Sequence, residues 1–326
     1  MDARVIVVGS YNQDHVWHLP RMVHAGETLR GHGFSTGAGG KGFNQAVACV
    51  RQGVATAFIG ARGDDALGDK AARLAAHERI QGLWQVETAH PTGSACILID
   101  EQGQNRIIVD LGANEHLAHT HIDAQAPAFA TATVLLAQME TAMDTLLHAL
   151  RRGREHGLLT LLNPAPIHPD TRTECLRLAD VLLPNEGEFA ELCARFADRD
   201  VAADAVAGMD NADLHGLARQ LTDATVVITL GASGCFVSHG DDRHGDTGAC
   251  YRLAPEPVRV VDTTGAGDAF CGALAAASVR MANQPFRDAV AHANRVGAMA
   301  TEHHGAAASM PHFAEVMPRF AGTAKG

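Results

Sequence analysis

The chain has no Cys-x-x-Cys pair and no His-Glu-x-x-His. It also has no apolar run near the roughly 18 residues that a membrane-spanning helix needs. Each absence removes a class of function. Seven cysteines are present: Cys49, Cys96, Cys175, Cys193, Cys235, Cys250 and Cys271. Their number is odd and their spacing irregular. Most stand in apolar contexts, as in Phe270-Cys271-Gly272, and read as small buried hydrophobes in a reducing compartment. The 19 histidines are scattered. None falls in a metal-ligand spacing, so they read as surface and satisfied histidines. The start, Met1-Asp2-Ala3-Arg4-Val5, enters a strand directly, so no signal peptide and a cytoplasmic location are expected. Basic residues are short as well, 26 Lys plus Arg against 37 Asp plus Glu, a formal net charge of -11. That excludes the basic face a nucleic-acid partner needs, but not a nucleotide, which asks only for a local anion site. Neither a repeat nor a low-complexity tract occurs.

What is present is material for a core. The 326 residues are 46% hydrophobic and 19% charged, enough for one large or two ordinary folded domains. Short apolar runs recur at Val5–Val8, Ala57–Ile59, Val134–Ala137, Leu158–Leu162, Val181–Leu183 and Val226–Ile228. Each is apolar on both faces, as strands of a doubly covered parallel sheet are. Alanine-rich amphipathic stretches lie between them, at Asn44–Gln52, Asp65–His77, Thr141–His156, Gly187–Phe196, Leu214–Leu221 and Asp268–Met281. This alternation predicts βαβ units and an α/β fold. Residues 15–34 carry Pro20, Gly26, Gly31 and Gly33 without a helical period. Residues 93–110 read as a hairpin turning at Asp100–Gln104. Together the two segments predict a small antiparallel flap outside a core of residues 1–14, 35–92 and 111–326. Residues 238–251 read as a surface loop or hairpin, and the tail after Ala321 as frayed.

The strongest local signal is Asp262-Thr-Thr-Gly265-Ala266-Gly267-Asp268-Ala-Phe270. A strand ends, a glycine turn follows and a helix starts near Asp268. The first amides of a helix lack internal partners and face outward at the positive end of its dipole. Such a turn suits a phosphoryl group that gains charge, with Asp268 beside it to take a proton from an attacking hydroxyl. The alternative is a plain helix cap.

A second glycine loop runs Gly37-Ala-Gly39-Gly40-Lys41-Gly42-Phe43-Asn44-Gln45. It lacks the Ser or Thr that a Walker A loop has after its Lys, and it stands too far from the first strand for a dinucleotide fingerprint. Lys41 and Asn44 remain as donors for a polyhydroxylated ligand. Asn12 and Asp14 follow the first strand, where ligand crevices of α/β sheets form. Asn185 and Glu188 follow another strand. A carboxylate with an amide there suits a hydrated Mg²⁺, with Glu186 as competitor. Each pair, taken alone, reads more readily as a cap or a solvated loop than as a site.

Together these segments resemble the PfkB carbohydrate kinase family. Its two signatures look like Gly39-Gly-Lys-Gly-Phe-Asn-Gln-Ala-Val-Ala and Asp262-Thr-Thr-Gly-Ala-Gly-Asp-Ala-Phe-Cys-Gly-Ala-Leu. Its Asn-x-x-Glu motif matches Asn185–Glu188. Shorter likenesses occur at Gly9–Asp14, Gln138–Glu140, Asn163–Pro166 and Thr229–Gly231. The resemblance implies a ribokinase-like α/β fold, a central mostly parallel sheet with helices on both faces and a small antiparallel β-lid that often forms a homodimer interface. It implies phosphorylation of a sugar hydroxyl by ATP, with D-ribose to D-ribose 5-phosphate as the first expectation. Asp268 would be the base, the amides of Ala266, Gly267 and Asp268 would form the anion hole, and Gly265 would belong to the same catalytic turn. Asn12, Asp14, Gly39, Gly40, Lys41, Asn44 and Glu140 would grip the sugar. Asn185, Thr229, Gly231, Gly234, Gly267 and Asn294 would line the ATP site, and Glu188 would hold Mg²⁺ through water. Asp262, Thr264, Ala300, His303, Gly305 and Ser309 would ligate K⁺. Phe43 and Tyr11 depart from the family pattern. If they face the ligand they favour a nucleoside acceptor; if not, they belong to the core. A non-catalytic sugar-binding regulator is the alternative of another class.

Overall fold

A computed structural model describes residues 2–320. The tail after Ala321 lies outside the described residues. The strands are β1 Val5–Val8, β2 Asn12–His18, β3 Gly33–Gly39, β4 Thr56–Gly63, β5 Gln81–Glu87, β6 Ser94–Ile99, β7 Asn105–Asp110, β8 Val134–Ala137, β9 Leu159–Leu162, β10 Val181–Leu182, β11 Thr225–Thr229, β12 Cys235–Ser238 and β13 Cys250–Leu253.

Nine of them form one sheet in the order β13-β12-β11-β10-β9-β8-β1-β4-β5. From β11 to β5 every pairing is parallel. The apolar runs become central strands because successive side chains enter opposite cores. In β1, Val5 and Val7 join one buried cluster while Ile6 and Val8 join the other. Helices Lys41–Arg51 and Ala266–Arg280 cover the first face. Helices Met143–Glu155 and Glu186–Phe196 cover the second. Residues 238–251 connect β12 and β13, an antiparallel hairpin that extends the main sheet. β5 has no counterpart in the sequence reading. It is an edge strand of half-buried and exposed residues, so it lacks the apolar run that marks the others.

A separate sheet takes the order β3-β2-β6-β7. β2/β3 and β6/β7 pair antiparallel, and β2/β6 parallel. The small sheet begins at Asn12 and returns to Gly39, so it reaches into residues 12–14 and 35–39, beyond the expected 15–34. Asn12 and Asp14 therefore stand on a strand of the small sheet, directly above the main one.

Tyr11 and Phe43 are fully buried. Their rings meet edge to face at 5.2 Å, and Phe43 meets Phe58 the same way at 5.7 Å. Trp84 packs on Phe58 at 4.9 Å. The rings thus belong to the core and offer no stacking surface to a ligand. Phe43→Ala is expected to cost about 3–5 kcal/mol through the cavity it leaves. Denaturant unfolding would measure that loss, and the order of preferred acceptors should stay unchanged.

Candidate active site

The main sheet and its helix caps bring the candidate residues to one edge. β1 ends before Ser10 and Asn12, β8 before Gln138 and Glu140, β9 before Asn163, β10 before Asn185, and β11 at Thr229. In a parallel sheet these are all carboxyl ends, where the crevice of an open α/β fold lies.

Two helices start into this crevice. Helix Lys41–Arg51 follows Gly40, whose φ of 83° only glycine adopts freely. A Cβ there would lie 2.7 Å from the Asn12 amide nitrogen, so the loop lies directly on β2. Helix Ala266–Arg280 follows Gly265 in a left-handed turn. The two helices touch where Gly272 lies against Gln45: a Cβ on Gly272 would sit 2.3 Å from the Gln45 carbonyl oxygen. That close approach places Asp268 beside the first helix. Asn44 Nδ2 donates to Asp268 Oδ2 at 2.9 Å, and Gln45 Nε2 donates to Asp268 Oδ1 at 2.9 Å. Asn44 Oδ1 is buried and has no hydrogen-bond partner. The Ala266 amide donates back to Thr263 at 3.2 Å, so Gly267 and Asp268 are the first-turn amides left to face a ligand. Gly267 is exposed, with open space beside it.

Glu140 is held from two sides, by the Ser10 hydroxyl at 2.5 Å and the Lys41 amide at 2.9 Å. Asn12 Oδ1 accepts from Asn114 Nδ2 at 3.0 Å. Asp14 stands against Gly39, where any Cβ would collide with its carboxylate. Burial, then the charges of Glu140 and Asp268, push Asp14 up to about 7. Burial also raises Asp268, although Lys41, Gln45 and Asn44 pull it back. Burial pulls Lys41 down, but Asp268, Glu140 and Glu188 outweigh it and hold the ammonium above its ordinary value. Asp14, Glu140, Asp268 and Glu188 thus share one site with a single lysine.

Asn185 and Glu188 form a reciprocal capping box at 2.8 Å in each direction. The cap and the crevice are the same place, since Glu188 feels the charges of Lys41 and Asp268. Burial raises Glu188 despite its bond from the Asn185 amide. A partly buried carboxylate in this acidic setting fits a hydrated Mg²⁺, which needs few protein ligands. Asn185 forms an isolated bridge with Thr229, which joins these two residues. Gly231 is exposed beyond them, while Gly234 turns the chain into β12. Asn294 spends its amide on the Ala254 carbonyl at 2.8 Å.

Burial pushes Asp262 up, but the amides of Gly305 and Thr264, at 3.0 and 2.9 Å, outweigh it and hold the carboxylate low. The loop of Ala300, His303, Gly305 and Ser309 closes on Asp262 through Gly305. His304, not His303, is the imidazole nearest that carboxylate, at 3.7 Å. A site that offers one carboxylate, Asp262, suits a monovalent cation better than a divalent one.

A profile of pfkB family carbohydrate kinases matches residues 2–312. The chain belongs to this family of kinases. It is 32% identical to a ribokinase of Schizosaccharomyces pombe over 96% of both chains. It is 33% identical to a ribokinase of Mus musculus over 95% of this chain and 92% of the other. A solved structure of an Arabidopsis thaliana ribokinase complexed with ribose and ATP superposes with a TM-score of 0.79 at 26% identity, covering 98% of each chain.

Within this kinase fold, three polar residues escaped the sequence reading as site members. Asn114 clamps the base of the small sheet, bonding Tyr11, Asn12 and Leu111. Gln45 holds Asp268, and Gln138 holds Gln45. Gln45 carried a signal, since it lies inside the first glycine motif. Asn114 carried none, as it follows the hairpin without a motif. No helix among the described residues is long and apolar enough to cross a membrane.

Proposed function

We propose that the chain transfers the γ-phosphoryl group of ATP to the 5-hydroxyl of D-ribose, giving D-ribose 5-phosphate and ADP. The unpartnered Asn44 Oδ1 beside Asp268 carries this reading. A buried acceptor left open costs stability unless a ligand hydroxyl completes it. Asn12, Asp14, Gly39, Gly40, Lys41 and Glu140 surround the same space and suit a small polyol. Asp268 takes the proton from the attacking hydroxyl as the oxygen moves onto phosphorus. The amides of Gly267 and Asp268, with the positive end of the helix, stabilise the equatorial oxygens, while the Ala266 amide is spent on the Thr263 carbonyl. Asn185, Thr229, Gly231, Gly234 and Asn294 border the ATP, and Glu188 would hold a hydrated Mg²⁺. When bound, Mg²⁺ neutralises charge on the phosphates.

K⁺ at Asp262, Thr264 and the 300–309 loop would steady the turn that carries the anion hole. The rate is expected to be several-fold higher in KCl than in NaCl at equal ionic strength. Equal rates would remove the cation site. The small sheet acts as a lid and as the contact of a homodimer. Phe34 and Ile108 on it are 58% and 68% exposed, and Ile107 and Val109 add to that apolar surface, which a second copy would cover. We place the protein in the cytoplasm.

A coupled ADP-release assay with Mg-ATP and K⁺, run over pentoses, hexoses and nucleosides, tests the whole reading. Ribose should give the highest kcat/KM. A nucleoside in first place would overturn the acceptor, and no release with any acceptor would overturn the kinase.

A further inference from the structure

Behind Asp268 lies a buried chain of side-chain amides that the sugar and nucleotide contacts do not use. Gln45 is fully buried, one residue past Asn44. Its Nε2 donates to Asp268 Oδ1 at 2.9 Å and to Asn163 Oδ1 at 3.1 Å. Its Oε1 accepts from Gln138 Nε2 at 2.5 Å. Asn163 Nδ2 donates to the Leu183 carbonyl at 2.8 Å.

The Leu183 carbonyl sets Asn163 and Asn163 sets Gln45, while Gln138 adds a donor whose own Oε1 has no partner. The Leu183 carbonyl claims the Asn163 amino group, which turns Asn163 Oδ1 toward Gln45. Gln138 presents an amino group to Gln45 Oε1. A flipped Gln45 would set oxygen against the Asp268 carboxylate and against Asn163 Oδ1. It would also set its amino group against that of Gln138. Buried amides tolerate no such pairing. Gln45 therefore presents only N–H to Asp268. The anchors are rigid, because Gln138, Asn163 and Leu183 follow three adjacent strands, β8, β9 and β10.

We propose that Gln45 is a positioning residue for phosphoryl transfer, fixing the plane of the Asp268 carboxylate so that Oδ2 stays beside the open oxygen of Asn44, with Gln138 and Asn163 fixing Gln45 in turn. This rests on Asp268 acting as the base. The physical need is clear from the surroundings. Asp268 faces Asp14 on β2, Glu140 after β8, Glu188 on the helix Glu186–Phe196 and Cys271 on its own helix. Lys41 is the single ammonium opposing them. Burial and like charge both favour a protonated, idle Asp268. Two amide donors favour the ionised form and also hold its direction.

The test is Gln45→Met, which keeps the length and removes the donor. Losing one bond to a charged group is worth roughly tenfold. kcat at pH 7 should fall about tenfold, with the sugar KM within about twofold. The acid limb of kcat against pH should move up by about one unit. Gln138→Met, one bond further out, should move both in the same direction by less. A lower melting temperature with kcat and the limb unchanged would make the chain of amides structural only and overturn the proposal. If Gln45→Met does not fold, Gln138→Met decides by the same criteria. Asp268→Asn, measured alongside, separates the two claims. Near-normal turnover there overturns the base itself. An inactive Asp268→Asn with an unmoved limb in Gln45→Met overturns only the role of Gln45.

Discussion

Asp268→Asn is expected to lower kcat about a hundred- to ten-thousand-fold, the usual worth of a positioned general base. KM for the sugar should change far less, because Asn12, Asp14, Lys41 and Asn44 remain. The substitution keeps the volume of the side chain, so the helix packing at Gly272 is undisturbed. What changes is acceptor capacity. Asn44 Nδ2 and Gln45 Nε2 both donate to the carboxylate. An amide offers one oxygen, so one of these donors meets an amino group instead. Part of the loss is therefore misalignment. Asp268→Ala removes both acceptors and serves as the check. Both variants should be nearly inactive in single-turnover and steady-state ADP release. Turnover within a few-fold of the parent in either would remove Asp268 as the base.

Asp14→Asn should divide binding from stability. Neither carboxylate oxygen of Asp14 has a hydrogen-bond partner among the described residues, which leaves both free for the sugar hydroxyls of the proposed function. Removing a charged acceptor from a bound hydroxyl costs about 1.5–3 kcal/mol, roughly ten- to a hundredfold in the sugar KM. kcat should move little, since the base is elsewhere. Stability should move the other way. The folded value of about 7 lies above the ordinary 3.8, so the folded state binds the proton more tightly than the unfolded chain. The cost of the ionised group is absent below about pH 4, grows up to about pH 7 and is complete above it. The shift corresponds to at most about 4 kcal/mol, and solvent screening of the part-exposed side chain leaves about 2 kcal/mol. The variant should therefore melt a few degrees higher than the parent at pH 8 and show no gain at pH 4. An equal gain at both values would place the effect in packing. A loss at pH 8 would mean that the carboxylate stabilises the empty site.

Both predictions concern residues visible in the sequence, yet their reasons are not visible there. Asp268 stands out because glycines precede it and a helix follows, and that local pattern needs no partner to be read. Its two amide donors lie more than two hundred positions away. Asp14 reads only as a polar residue after a strand. Its high proton affinity comes first from burial and then from Glu140 and Asp268, which no local pattern connects to it. Asn185 and Glu188 show the reverse case. The four residues carry both a capping box and a place in the crevice, and only the nearness of Lys41 and Asp268 tells that the second applies.

Periodicity and turn chemistry, which are local, determined the alternation of strands and helices, the two glycine turns at helix starts and the motifs that mark the family. Six apolar runs became strands of the main sheet because a residue buried on both faces must be apolar whatever its neighbours are. Distance in space was decided by the tertiary structure alone. It set the edge strand β5, the reach of the small sheet back to Asn12 and Gly39, the burial of Phe43 and Tyr11 in one aromatic cluster, and the amide chain behind Asp268. These depend on which strand lies beside which, and on helices close enough for glycine to be the only residue that fits between them. Hydrogen bonds and charges act over a few ångströms of space, and separation along the chain does not measure that distance.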